Sequence, residues 1–417
     1  MFLKKLKNST SFLSISKLAT GNILSQFITL IFAPVLSRFY GPEAYGVVAI
    51  YITITSILDV FTTFRYELAI LIPEKDKEAI SLIWLSFIIT TAISFLSFLI
   101  LVLFKDKVTN IFDAESLGSL IWFIPISLFV NGLSKPLVNF LIREQKFNKL
   151  SNLIIKQRIV GQITRLILIS KGSLGLIIGQ AFDQITSTIY ILNSYKRIFN
   201  FKLNRKIIIN QIINYKDFGL TSTASALFNS FANQFPILIL ASNYSVKEIG
   251  VYFLVERLIL IPVGLISNST SQVFISKITD KKNKHNTLKL FNKYAIYLIF
   301  IGIIYCFFIL LLNPLLPFLL GKDWIDSLKV AIAIIPIVFS QIAFSTLGIA
   351  YEGKRIILQG LFAQIILCFM KNVPLLIFLS NFKFPFISAI WIYSSFSFVG
   401  YFLYFLRLKK YLKRITT

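Results

Sequence analysis

The sequence predicts an all-α polytopic membrane protein of about twelve transmembrane helices, in two six-helix lobes related by pseudo-two-fold symmetry. Three observations carry this. First, 56% of the 417 residues are hydrophobic and only 15% charged, with mean hydropathy +0.76. Soluble domains have roughly 45–50% apolar and about 25% charged residues. Second, the apolar residues come in runs of about 20, the helical length that crosses a hydrocarbon core about 30 Å thick. Third, the segment YGPEAYG at 40–46 returns in weakened form as YSVKEIG at 244–250, about half a chain later. Six spans separate the two copies. Six is even, so both halves share one orientation and are related by an axis along the membrane normal. The composition excludes a water-soluble enzyme and a disordered chain.

The predicted spans are 17–37, 46–72, 79–104, 118–142, 151–170, 174–195, 219–242, 249–276, 291–312, 327–350, 356–379 and 384–406. Several exceed 20 residues, which tilt or extension beyond the bilayer accommodates. The fifth is the most polar, with Lys156, Arg158 and Arg165. The first follows Lys4, Lys5 and Lys7 with no small-residue cleavage site, the pattern of an uncleaved first helix. The expected organisation is an N-terminal lobe over 1–200, a basic linker over 201–216 and a C-terminal lobe over 217–417. Tyr40, Tyr45, Trp122, Trp324 and Tyr401 lie near span ends and fit an interfacial aromatic belt.

Net charge is +25. On a soluble domain this would point to nucleic acid; here its distribution points to the bilayer instead. Of 43 basic residues, about 27 fall in the two tails and the loops after even-numbered spans, about 8 in the opposite loops and about 8 within spans. The positive-inside rule places both termini in the cytoplasm, as expected of an inner-membrane protein. The richest inner segments are 196–216 and 277–293. Attraction to anionic headgroups explains such charge without further function.

Charges inside spans are costly, about 2.5–3.5 kcal/mol at a helix centre, so each needs a reason. The intramembrane set holds eight cations and four acids. Lys17 and Lys156 lie near span ends and can snorkel. Lys135 and Arg158 lie about two turns in, and Arg165 lies near the outer end of its span. Arg65, Arg257 and Lys371 are harder to dismiss. The excess of cations suggests a hydrated cavity that receives an anion, for which phosphate or pyrophosphate is a natural guest. Structural pairing plus snorkelling is the alternative. Asp59, Asp183 and Glu256 either bind a coupling ion or proton or pair with these cations.

Polar stripes accompany the charges. Asn22 and Gln26 lie on one face of the first span, and Asn229 and Asn233 on the corresponding face of the seventh. Gln341 and Gln364 mark faces of the tenth and eleventh. These residues either line a water-filled cleft or serve helix packing. No nucleotide-binding GxxxxGK[ST] loop, HExxH motif or zinc-ligand spacing is present. Cys306 and Cys368 sit in apolar runs, and His285 is the single histidine. No cofactor or metal is expected, nor enzymatic chemistry.

The stretches KLATGNILSQFITLIFAPVLSRFYGPEAYGVVAIY (17–51), FRYELAILIPEKDKEA (64–79) and YKDFGLTSTASALFNSFANQFPILILASNYSVKEIGVYFLVERLILIPVGLISNSTSQVF (215–274) resemble the bacterial polysaccharide-biosynthesis and O-antigen flippases. These belong to the multidrug/oligosaccharidyl-lipid/polysaccharide exporter superfamily. The resemblance implies two six-helix lobes around a cationic cavity. It also implies alternating-access transfer of undecaprenyl-pyrophosphate-linked oligosaccharide to the outer leaflet, alongside a polysaccharide polymerase and a chain-length regulator. Arg65, Glu67 and Arg257 carry over by motif, and Arg158 and Arg165 of the fifth span only by analogy with the cavity; Lys135 and Lys371 are cavity candidates from their place within spans. Two rivals are a multidrug/cation antiporter of the same superfamily and a membrane O-antigen polymerase or glycosyltransferase. The antiporter would want acids in the cavity. The polymerase would want a long outer loop, and the outer loops here are short.

Overall fold

A computed structural model describes residues 10–111, 114–195, 198, 205–216, 218–279, 286–353 and 357–416. Parts of both basic segments, and His285, lie outside the described residues, as do the side chains of residues 10–18. The described chain is helical, with no strand, and a helix occupies each of the twelve predicted windows. Among the described residues eight helices are long and apolar enough to cross a bilayer, and the pair Lys322–Ala333 and Ile335–Ile349, bent by 49°, makes a ninth if counted as one broken span. Phe147–Ile167 (α5) and Ser173–Ser194 (α6) have spanning length, 21 and 22 residues, but more polar faces.

The first helix, Thr10–Leu58 (α1), covers two predicted spans without a loop. Its 49 residues would reach about 74 Å if straight. Gly41 breaks it with φ 68° and ψ 169°, a region that only glycine occupies readily, and Pro42 restarts the helix.

The second window, predicted to run to residue 72, is corrected. The helix stops at Leu58 and the chain turns before a short helix, Tyr66–Ala69 (α2). Phe64 and Arg65 both take positive φ, 45° and 60°. Arg65 therefore caps α2 from a left-handed conformation rather than standing on a long helix. Irregular backbone at membrane depth is tolerated only where its polar groups find partners. Here side chains supply them. Lys135 Nζ (2.8 Å) and Thr62 Oγ1 (2.8 Å) donate to the Asp59 carbonyl, and Thr90 Oγ1 donates to that of Thr62 at 2.9 Å.

The remaining helices in the first half are Asp76–Ile111 (α3), Phe123–Arg143 (α4) and Arg205–Asn214 (α7), besides α5 and α6. In the second half they are Thr223–Ala241 (α8), Val246–Thr279 (α9), Thr287–Leu312 (α10), Leu315–Leu320 (α11), Ser327–Ala333 (α12), Ile335–Ser340 (α13), Ala350–Gly353 (α14), Ile357–Asn381 (α15) and Phe386–Thr416 (α16). They form two compact units, Met1–Tyr40 with Ile50–Leu227, and Gly41–Ala49 with Phe228–Thr417.

The first unit is built around a core in which Tyr66, Ala69 and Ile70 of the short α2 segment pack with Leu82, Phe140 and Leu153. In the second unit, α10 has the inverse pattern of a soluble helix. It buries Ala295, Leu298 and Gly302 while exposing Ile296, Phe300, Ile304 and Phe307. Such a face belongs in lipid.

The two copies of the repeat meet within the second unit. A Cβ on Gly46 would overlap the Val246 carbonyl, and one on Gly250 would overlap the Pro42 carbonyl. The repeated glycines thus let two helix starts cross in backbone contact, as small residues do between membrane helices. Tyr45 and Trp324, placed by sequence in an aromatic belt, are instead 8% and 1% exposed and stack edge to face at 5.5 Å. Gly250→Val is expected to lower stability by about 1–3 kcal/mol through forced separation of the crossing. The loss would be read as a fall in the monodisperse fraction after heating in detergent, with Gly264→Val, in open space, as the tolerated control.

Candidate functional site

Polar and charged side chains gather inside each unit. In the first, glycine spacing brings α5 and α6 together. Gly175, Gly179 and Asp183 follow one another at four-residue intervals on α6, so they share a face. A Cβ on Gly179 would overlap the aliphatic stem of Arg165, and one on Gly161 would overlap the Asp183 carboxylate. The missing side chains leave room for Arg165 to lie along α6. Its Nη2 reaches Asp183 Oδ2 at 3.0 Å, and Arg158 Nη1, two turns away on α5, reaches the same oxygen at 3.3 Å. The side chains of Arg165 and Asp183 are 10% and 7% exposed, that of Arg158 26%.

One carboxylate facing two guanidiniums leaves a formal charge of +1. The cluster also leaves Asp183 Oδ1, Arg158 Nε and Gln162 Oε1 buried without a hydrogen-bond partner among the described residues. Buried polar groups rarely go unmatched, so these three atoms set the cluster apart from an ordinary buried ion pair. Arg165 is buried, turned toward α6. Its carbonyl also accepts from the Tyr40 hydroxyl at 2.5 Å, which places that tyrosine in the interior rather than in an aromatic belt.

Lys135 on α4 pairs with Asp59 Oδ2 at 2.7 Å and donates to Thr62 Oγ1 at 3.2 Å. It lies at the break after α1 rather than snorkelling to a surface, and Asp59 stands in the turn, not on a helix. Arg65 lies 3.8 Å from Glu67, its side chain 38% exposed. Glu67 itself is buried and accepts from Thr63 Oγ1 at 2.5 Å.

The second unit centres on Lys371, midway along α15 and 0% exposed. Its Nζ donates to Asn233 Oδ1 at 2.8 Å and lies 5.6 and 5.2 Å from the ring centres of Tyr393 and Tyr401. Cation–π attraction of this kind is worth about 2 kcal/mol when desolvated. Among the described residues no carboxylate comes within 4.0 Å of it. Glu256 on α9 acts on it at longer range and accepts from the Tyr252 hydroxyl at 2.7 Å. Asn233 donates in turn to the Asn229 carbonyl at 2.9 Å and to Asn229 Oδ1 at 3.2 Å.

The buried Oε1 of Gln364 has no partner among the described residues, and Gln341 stands at the start of a short π-helical turn, Gln341–Ser345. Arg257 places its guanidinium 5.7 Å from the Phe253 ring centre. On α1, Asn22 is exposed and Gln26 half-buried. The hydroxyls between them turn back on the helix, Ser25 to the Asn22 carbonyl and Thr29 to that of Ser25.

The sequence reading overlooked the tyrosines around Lys371. Tyr393, Ser397 and Tyr401 recur every four residues on α16; of these only Tyr401 was singled out, as an interfacial aromatic, and the lysine was singled out without its tyrosine partners.

Fold and hydropathy together define a polytopic α-helical membrane protein, with charged side chains buried inside each unit. Residues 35–329 match the family model described as polysaccharide biosynthesis protein, and the chain belongs to that family. The fold is that of transporters of the MOP superfamily. An inward-facing multidrug resistance MATE family transporter is similar at TM-score 0.72, with 15% identity over 95% of each chain. The lipid II flippase MurJ, in an inward closed conformation, is similar at TM-score 0.68 and 18% identity, over 97% of this chain and 90% of that one. A MOP superfamily transporter from Pyrococcus furiosus, described as having a binding pocket of reverse polarity, is similar at TM-score 0.56 and 14% identity, over 97% and 96%. Comparison with curated proteins found no match.

Proposed function

We propose that this protein is a flippase. It moves undecaprenyl-pyrophosphate-linked oligosaccharide repeat units from the inner to the outer leaflet of the cytoplasmic membrane by alternating access, with both termini cytoplasmic. The single observation that carries the reading is the Arg158–Asp183–Arg165 cluster, a net positive charge held between α5 and α6. Membership of a polysaccharide-biosynthesis family supports the substrate class, and the fold shared with a lipid II flippase supports the transport step.

In this reading Arg65, Lys135, Arg158, Arg165, Arg257 and Lys371 meet the pyrophosphate, guanidiniums as bidentate forks and lysines as compact charges. Asn22, Gln26, Asn229, Asn233, Gln341 and Gln364 offer donors and acceptors to sugar hydroxyls. The polyprenyl chain stays in lipid. Asp59, Asp183 and Glu256 carry any coupling ion. A polymerase and a chain-length regulator consume the delivered repeat. Cationic drugs fit the arrangement less well, because cations outnumber acids eight to four within the predicted spans.

The test is a leaflet assay. Proteoliposomes carrying labelled polyprenyl-pyrophosphate oligosaccharide are scored for label accessible from outside, with and without an imposed ion gradient. Wild type should expose label faster than empty liposomes, and Arg158→Ala should slow it at least tenfold, the loss of one charged hydrogen bond. Export of cationic dyes with no movement of label would transfer the protein to the antiporter class.

A further inference from the structure

The turn that follows α1 presents three oxygens to one point. Asp59 Oδ2, the Asp59 carbonyl and Thr62 Oγ1 lie 2.7, 2.8 and 3.2 Å from Lys135 Nζ. An ammonium has three N–H donors and no acceptor, so this shell supplies one oxygen to each hydrogen. The Thr62 hydroxyl gives its own proton to the Asp59 carbonyl at 2.8 Å, which turns its lone pairs toward the charge. Carboxylate, carbonyl and hydroxyl oxygens are also the ligands that hard cations take.

The break in the backbone makes this shell. In a continuing helix the Asp59 carbonyl would accept from the amide four residues on. Here α1 stops at Leu58, and positive φ at Phe64 and Arg65 turns the chain away. From the backbone that carbonyl receives only the Thr62 amide, at 3.4 Å, so it is left to the side chains. The C-terminal end of a helix also carries partial negative charge, which favours a cation just beyond Leu58. Carbonyls freed at an interrupted spanning helix are one way in which membrane proteins hold alkali ions. The ammonium that fills the shell sits on a flexible four-carbon stem. Its site is not sealed, since the side chains of Lys135 and Asp59 are 28% and 23% exposed. An ammonium and a potassium ion are equal in charge and close in size, so oxygens spaced for one suit the other.

We propose that the Asp59–Thr62 turn is a monovalent-cation site whose resident cation is the Lys135 ammonium, and that an alkali ion takes the site when the lysine leaves it. The site itself needs no assumption about substrate. Its use in transport rests on the flippase reading: a pyrophosphate that draws Lys135 away opens the site to an ion, and an ion in the site holds the lysine out. Each ligand then favours the other, which is reciprocal coupling, with Asp59 as ion ligand and Lys135 as substrate ligand.

The full-length protein in detergent, without lipid-linked substrate, is heated in potassium, sodium or N-methylglucamine chloride at equal ionic strength. Wild type should melt at one temperature in all three, because the ammonium fills the site. Lys135→Met keeps the stem and removes the charge. It should melt lower in N-methylglucamine and regain about 5 °C in saturating potassium or sodium, the larger rise naming the ion. Lys135→Met/Asp59→Asn should show no difference between the salts. Where Lys135→Met aggregates in N-methylglucamine, recovery of the monodisperse peak in either alkali salt reads the same site. Aggregation in every salt, an ion-independent melting temperature in Lys135→Met, or an equal alkali effect in wild type or in the double variant overturns the proposal. No substrate is present, so a failure of transfer in the leaflet assay leaves this result standing.

Discussion

Asp183→Ala is expected to destabilise the protein by about 3–5 kcal/mol, the cost of leaving buried charge uncompensated. Two guanidiniums converge on this carboxylate at 3.0 and 3.3 Å, and Arg165 has little access to water. Removing the acid raises the formal charge of the cluster from +1 to +2 between two helices in backbone contact. Arg165 cannot swing free, because its stem is trapped against Gly179. The measurement is the temperature at which half the detergent-solubilised protein leaves the monodisperse peak. Asp183→Asn, which keeps the shape and can accept one hydrogen bond, should fall between alanine and wild type. Asp183→Leu combined with Arg165→Met should recover most of the loss, since an apolar pair replaces the buried ion pair. An unchanged melting temperature in Asp183→Ala would show a hydrated cluster whose Coulomb terms are screened.

The helices were legible because lipid imposes a simple rule: every window of about 20 apolar residues must close its own hydrogen bonds, and only a helix does so. The residue-level departures have local causes that hydropathy does not register. The second window looked continuous through Arg65 because Phe61, Tyr66 and Ile70 keep it apolar. It is broken because Lys135 and Thr90, far along the chain, supply donors for the freed carbonyls of Asp59 and Thr62.

The charged residues themselves were legible as exceptions to hydropathy, whereas their partners were not. Arg158 and Arg165 stood out in the most polar span, but only the glycine ladder on α6 decides that Asp183 is reached rather than water. Tyr401 shows the reverse error. A tyrosine near the end of a span reads as interfacial, and here it is 5% exposed with its ring beside Lys371. The repeat at 40–46 and 244–250 marked two equivalent turns, yet nothing in one dimension says that their glycines touch.

Lys371→Met is expected to separate folding from transport. Methionine matches the lysine stem in volume and removes a charge that is 0% exposed. Replacing a buried charge by an apolar isostere is often neutral or stabilising by about 1–4 kcal/mol. Against this, Asn233 Oδ1 loses its donor at 2.8 Å, which costs about 1–3 kcal/mol when the acceptor stays dry. The two terms nearly cancel, so the melting temperature should stay close to that of wild type. Lys371→Ala, by contrast, leaves a void among Tyr393, Tyr401 and Asn233 and should lose about 2–5 kcal/mol, as for large-to-small core changes. If the ammonium meets the pyrophosphate, the methionine variant should flip labelled lipid-linked oligosaccharide about 10–100-fold more slowly, the range of a charged hydrogen bond. The alanine variant confounds that loss with instability, which is why the methionine comparison decides. Lys371→Met/Asn233→Leu should restore any residual stability deficit without restoring transfer. Full transfer by Lys371→Met would reduce the lysine to a strut, held by two tyrosine rings for packing alone.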